Sequence, residues 1–253
     1  MKTRKKSFSD ILEDTRIRTR RKLLKKIPSW AGVEGLEFPS SLSLEQCSSE
    51  ATATFKARLI KEKFAHPDTI CDLTCGLGVD SWAFSAIASK VISFERNKDL
   101  AEAVRNNYSA LKADNIDLRC EDVSSLDTLP ECDLFYADPA RRDSLGKKVF
   151  LLEDCSPDIT AMMPLMLSKA PSVMLKLSPV ADLTMLCTRL GRNLEDIHIV
   201  SVKSEVKELL CILGRGVTDR VRITASELDT DGSPVGTFTF FPEEEATATA
   251  NYC

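Results

Sequence analysis

Along most of this chain, short apolar runs that end at acids or glycines alternate with stretches whose apolar residues recur every third or fourth position. The runs Thr69 to Thr74, Lys90 to Glu95, Ile116 to Arg119, Asp133 to Ala137 and Ser172 to Leu177 read as strands. Between them Asp80 to Ser89, Asn97 to Leu111, Ile159 to Lys169 and Ala181 to Leu190 read as helices, and strand-helix repetition of this kind makes a parallel sheet covered on both faces. The pattern changes at Ile197 to Val202 and Leu209 to Leu213, where only the six residues Lys203 to Glu208 intervene. A parallel crossover needs about a dozen residues or more, so these two strands must pair antiparallel. Val221 to Ala225 and Thr237 to Phe241, around a turn at Asp231 to Pro234, predict a further hairpin.

Upstream of the strands, Phe8 to Ile27 predicts a helix stopped by Pro28, and residues 29–41 read as a linker carrying Gly32, Gly35 and Pro39. Glu45 to Phe64 places Ala51, Phe55 and Leu59 on one face of a helix, with Ser43 and Gln46 as a capping box at its start. The expected organisation is a helical region at 1–66, an α/β domain at 67–216 and a hairpin extension at 217–253 that begins a further, truncated domain.

Composition is that of a globular protein, with 43% hydrophobic and 28% charged residues in 253. The net charge of -4 hides an asymmetry: residues 1–26 hold eleven Lys and Arg against three acids, leaving 23 against 35 for the remainder. A basic arm on an acidic body can track the phosphates of a nucleic acid, or simply be a solvated helix. The nine cysteines are scattered and never spaced C-x-x-C, so neither a disulfide framework nor a metal site is expected. With no apolar run of membrane-spanning length and no uninterrupted apolar stretch after the basic N-terminus, the expected compartment is the cytoplasm.

The chemistry concentrates at Ile70 to Asp80, where an apolar run ends in Asp72 and passes through Thr74, Gly76 and Gly78 into a helix. Glycines let backbone pass close under a ligand, and helix N-H groups face it, which is the geometry of a nucleotide-like cofactor site. Glu95, at the end of the next strand and nineteen residues after Gly76, stands where a ribose-binding acid belongs. Asp72 and Asp80 flank the loop and would repel a dinucleotide pyrophosphate, whereas they suit the sulfonium and ammonium of S-adenosylmethionine (SAM), so SAM is favoured over NAD. Cys71 and Cys75 do not open an iron-sulfur motif, because Gly78 stands in the third position.

Asp72-Leu73-Thr74-Cys75-Gly76-Leu77-Gly78 resembles motif I of class I SAM-dependent methyltransferases. Glu95, next to Arg96, resembles the motif II acid, and Asp122 the motif III adenine contact. Phe135 to Arg141, containing Asp138-Pro139-Ala140-Arg141, resembles the motif IV of nucleic-acid methyltransferases, with Ala and Arg where amino-methylating members have Pro and an aromatic. Together with Glu45 to Glu50, these segments are most similar to bacterial methyltransferases that carry a THUMP-like domain, over about residues 28–250. The resemblance implies a Rossmann-like, mostly parallel sheet with its last strand antiparallel. It also implies SAM bound by Asp72, Thr74, Gly76, Gly78, Asp80, Glu95, Arg96 and Asp122, and RNA as substrate.

Asp138 and Pro139 end the fourth strand beside this loop, where the carboxylate can accept a hydrogen bond from a base N-H. Without an aromatic to stack on a base, Arg141 takes that part, or Arg141 and Arg142 grip a phosphate. Cys155, fourteen residues past Arg141, is too distant to argue for a pyrimidine C5 mechanism. Lys176, ending an apolar strand, pairs with Asp138 or Asp182, contacts substrate, or reaches solvent. Ser48, Ser49 and Glu50 form a polar cluster that reads either as a lid over the cofactor or as an ordinary first helical turn. Glu205, Lys207 and Glu208 are expected as exposed turn charges. The expected activity is methylation of a base nitrogen in RNA, against DNA amino groups, an RNA cap, or a non-catalytic RNA-binding protein with the same fold.

Overall fold

In a computed structural model, the structure describes residues 19–141, 152 and 155–242. Residues 19–26 are helical (α1) and lead through a turn at Pro28–Trp30 to α2 (Ser41–Gln46) and α3 (Glu50–Phe64). Two strand-helix units and two further strands follow as β1 (Thr69–Asp72), α4 (Val79–Ser85), β2 (Lys90–Phe94), α5 (Lys98–Ala110), β3 (Ile116–Arg119) and β4 (Leu134–Ala137). A short pair, β5 (Ala140–Arg141) and β6 (Cys155–Ser156), precedes α6 (Ile159–Lys169), β7 (Ser172–Leu177) and α7 (Leu183–Leu190). The chain then runs through β8 (Leu194–Val202), β9 (Glu205–Gly214), β10 (Arg222–Leu228) and β11 (Pro234–Phe240).

Nine of these strands form one sheet in the order β11-β10-β8-β9-β7-β4-β1-β2-β3. β3, β2, β1, β4 and β7 pair in parallel, while β9 runs antiparallel to both neighbours, β7 and β8, as the short connection requires. That connection is two residues rather than six. Lys203 and Ser204 have φ of 55° and 60°, the two left-handed residues of a tight hairpin turn, so Glu205 to Glu208 belong to β9. β10 adds to the same sheet, parallel to β8 over Arg222 to Leu228, and β11 closes the hairpin expected there.

Alternation along the strands divides the core. Ile70, Leu134, Tyr136, Met174 and Ile212 face α3, α4 and the buried Ile27 and Trp30. Cys71, Phe135, Ala137, Val173 and Leu175 face α6 and α7. The helix predicted over Glu45 to Phe64 is two helices, because two serines cap separately: Ser40 accepts from the Ser43 N-H at 3.0 Å and Ser49 from the Thr52 N-H at 3.2 Å. Ser43 is therefore inside α2, and no Ser43–Gln46 capping box forms. The helix after the glycine loop stops at Ser85 instead of Ser89. The part of the N-terminal helix before residue 19 lies outside the described residues. Among the described residues no helix is long and apolar enough to cross a membrane.

Candidate cofactor and substrate cleft

The carboxyl ends of the parallel strands open into a cleft of about 760 Å³, where ligands of open α/β sheets bind. One wall is the loop after β1. Asp72 is fully buried beneath it, with Oδ1 accepting from the Thr74 N-H at 2.9 Å and Oδ2 from the Ser81 hydroxyl at 2.6 Å. Ser81 in turn sits 2.7 Å from the Ser93 hydroxyl. Burial pushes the Asp72 carboxyl up to about 7, against the downward pull of those two bonds. Asp72 thus shapes the loop and does not line the cleft, unlike the direct contact expected of it.

Gly76 and Gly78 have φ of 56° and 83°, conformations that favour glycine. A Cβ on Gly78 would stand 2.3 Å from the Tyr108 hydroxyl, which donates to the Gly78 carbonyl at 3.2 Å. Glu95 comes up from β2 to hold the loop from the far side. Its Oε2 accepts from the Gly76 N-H at 2.9 Å and its Oε1 from the Asn97 N-H at 2.7 Å. Asp122 caps the turn after β3, accepting from the Ser124 N-H at 2.9 Å, with the Arg96 guanidinium 4.0 Å away. Arg96 also donates to the Ser156 hydroxyl at 3.1 Å, bridging the cleft's edge.

Asp138 and Pro139 follow β4 into the cleft. The Asp138 N-H donates to Thr74 Oγ1 at 2.6 Å, so the two strand-end loops are tied together. The parallel register sets Ala137 beside Leu175, which makes Asp138 and Lys176 neighbours, and the ammonium donates to Asp138 Oδ2. Burial lowers the Lys176 pKa, but the carboxylates of Asp138, Glu208 and Asp80 more than offset this and raise it. Asp182, the alternative partner, instead caps α7 through the Met185 N-H at 2.8 Å. Arg141 lies in β5 opposite Cys155; its side chain and Arg142 are outside the described residues.

Asp80 lines the cleft yet is bound from behind. Its Oδ2 accepts from the hydroxyls of Ser48 at 2.7 Å and Tyr136 at 2.8 Å. Its Oδ1 faces the Lys56 ammonium at 3.0 Å, paired by charge without hydrogen-bond alignment. Burial raises the Asp80 pKa, but Lys56 leads a group of partners that hold it below the ordinary range. Lys56 is fully buried and also donates to Glu208 Oε1 at 2.9 Å and Ser48 Oγ at 3.0 Å. Glu208, expected as an exposed turn charge, is 2% exposed. Neither Lys56 nor Glu208 was a sequence candidate. The signal was there for Lys56, which falls on the stripe Ala53, Ala57 and Ile60 of α3, where a lysine demands a partner.

Ser43, Gln46, Cys47 and Ser48 of the N-terminal region line the cleft together with the ends of β1, β2, β3, β4 and β7. Of the expected polar cluster only Ser48 reaches it, since Ser49 caps α3 and Glu50 accepts from the Ser29 N-H at 2.9 Å. A protein of Porphyromonas gingivalis W83 described as a candidate methyltransferase superposes with a TM-score of 0.78 at 32% identity, over 92% of this chain and 57% of that one. The sheet order, the reversed β9 and this match decide the architecture. The fold is the Rossmann-like fold of class I methyltransferases. This chain spans little more than half the length of that protein. The N-terminal domain of EvdMO1, solved with SAH bound, matches at TM-score 0.50 and 17% identity over 79% of this chain and 96% of that one. A protein of Pyrococcus horikoshii described as a candidate RNA methyltransferase matches at TM-score 0.52 and 12% identity over 75% and 97%. These two share the fold alone. No protein-family profile and no curated protein matches the sequence.

Proposed function

We propose that this chain is a SAM-dependent methyltransferase that modifies a base nitrogen in RNA. The observation that carries the reading is the glycine loop held by Glu95 directly beside Asp138-Pro139, at adjoining strand ends. Each Glu95 oxygen already accepts one backbone N-H and keeps lone pairs for ribose hydroxyls, while Asp122 at the next strand end suits an adenine amine. Bound SAH in a protein of the same fold supports this cofactor. Methyl transfer from a sulfonium is an in-line displacement that depends on holding the nucleophile at near-attack distance. Asp138, anchored through its N-H by Thr74 and through its carboxylate by Lys176, accepts a substrate N-H and orients the base. Three features support RNA: the basic N-terminal segment, the resemblance to methyltransferases carrying a THUMP-like domain, and the RNA methyltransferase description of one structural neighbour.

Incubation with total RNA and methyl-labelled SAM, followed by nucleoside mass spectrometry, is expected to return label in a methylated base. Asp138→Ala should slow transfer by on the order of a hundredfold, the scale of one preorganised hydrogen bond. Tight SAM binding with an undiminished rate in that variant removes Asp138 from the mechanism. RNA binding without SAM binding makes the chain a binding protein.

A further inference from the structure

At the floor of the cleft, five charged side chains form two ion-paired groups, Lys56 of α3 with Asp80 of α4 and Glu208 of β9, and Lys176 of β7 with Asp138 after β4. The charges of Asp80 and Glu208 act on Lys176 as well. Lys56, Asp80 and Glu208 have side chains no more than 10% exposed, Lys176 15% and Asp138 35%. Three carboxylates face two ammoniums, so one negative charge is left over. An uncompensated charge in a poorly solvated place is unfavourable unless a cation arrives to face it. Among these groups Asp80, Asp138 and Lys176 reach the cleft surface, and Lys56 and Glu208 do not. Outside the cluster, Lys26 adds positive charge near Lys176, while Glu95, Glu121 and Asp122 against Arg96 add more negative charge along the cleft wall, so the surplus stays negative. Lys207 at the rim is paired with Glu205 at 2.6 Å, and exposed cations are screened by salt. Asp72, beneath the loop, adds further negative charge as it ionises.

We infer that this buried cluster is a preformed counter-charge for a cationic ligand, and that it makes the cleft prefer SAM, with its sulfonium, over the neutral thioether product SAH. The inference rests on the cofactor reading above. Its physical basis is that Glu208 acts at a distance: it touches no ligand in the cleft, yet its charge contributes to the field there. Preference for the donor, with its extra positive charge at sulfur, over the product that has lost that charge would favour release after transfer.

Titration calorimetry of the full chain with SAM and with SAH gives two dissociation constants and their ratio. Glu208→Gln keeps the shape and an oxygen for Lys56 but removes the surplus charge. SAM affinity is expected to fall about tenfold while SAH stays within about twofold, as a lost charge-charge attraction requires. Lys56→Met combined with Glu208→Gln restores the original surplus, and the ratio should return towards that of the wild type. In the wild type itself, an analogue with an ammonium in place of the sulfonium should bind more tightly than SAH, a comparison that needs no variant. Equal weakening of both ligands, an unchanged ratio, no recovery in the double variant, or an ammonium analogue no tighter than SAH overturns the inference alone. A wild type that binds neither SAM nor SAH overturns it together with the cofactor reading.

Discussion

At the scale of single residues, Asp72 and Asp80 look alike in the sequence and do different work. Asp72 is spent on the loop, and its carboxyl is raised by burial from 3.8 to about 7. Between those values the unfolded chain has released the proton that the folded chain still holds. Stability from this group is therefore greatest below about pH 4 and declines as pH rises to about 7. Asp72→Asn should flatten that slope, by an amount on the order of a few kcal/mol at most, read from urea melts at about pH 4 and about pH 8. A slope equal to the wild type's would mean that Asp72 is not the group responsible. Gly78→Ala meets two penalties at once, a left-handed φ and the Tyr108 hydroxyl 2.3 Å from its new methyl. It should lower stability by about 2–4 kcal/mol and weaken SAM binding with it. Glu95→Ala frees the Gly76 N-H and removes the ribose acceptor, so SAM affinity should fall at least about tenfold, with only a small change in melting temperature.

At the scale of elements, strands and helices with strong patterns were legible, down to the bounds of β3, β7 and α6. Caps and turns were less so, because they depend on which of several polar residues faces the backbone. The serine-rich stretch from Ser40 to Ser49 offers several capping hydroxyls, and only the fold chose Ser40 and Ser49. Ser49→Ala should therefore destabilise the chain by about 1 kcal/mol, whereas Ser43→Ala should be milder in the same thermal melt. The β8–β9 turn was misread as six residues because Lys203 and Ser204 are not the residues that such a turn prefers. Replacing the pair by Asn-Gly should raise stability by a few tenths of a kcal/mol to about 1 kcal/mol by relieving both positive φ angles. An unchanged melting temperature would count against the turn geometry.

At the scale of the whole molecule, the N-terminal region is tied to the sheet through Leu23, Ile27 and Trp30 and through the Lys56 cluster. That places α1, with Arg20, Arg21, Lys22, Lys25 and Lys26, on the α/β body. Lys26 donates to the Leu44 carbonyl at 3.0 Å, and burial, with Lys176 and Lys207, lowers its pKa against the pull of Cys47 and Glu45. Neutralising Arg20, Arg21 and Lys22 to Gln should weaken RNA binding most at low salt and reduce the salt dependence by up to about three phosphate contacts, leaving SAM affinity unchanged. A filter-binding series across salt concentrations checks both outcomes.

The sequence by itself determined the strand-helix order, the reversed strand and the cofactor loop with Glu95 nineteen residues on, because these follow from local periodicity, connection length and backbone freedom. It also placed Asp138 and Lys176 at strand ends. Only the tertiary structure paired them, moved Asp72 out of the cleft, and joined Lys56 to Asp80 and to Glu208 across 152 positions of chain. Whether a charged side chain faces solvent, a partner or a ligand is decided by which elements pack above it, and that information is not carried in the residue's own neighbourhood.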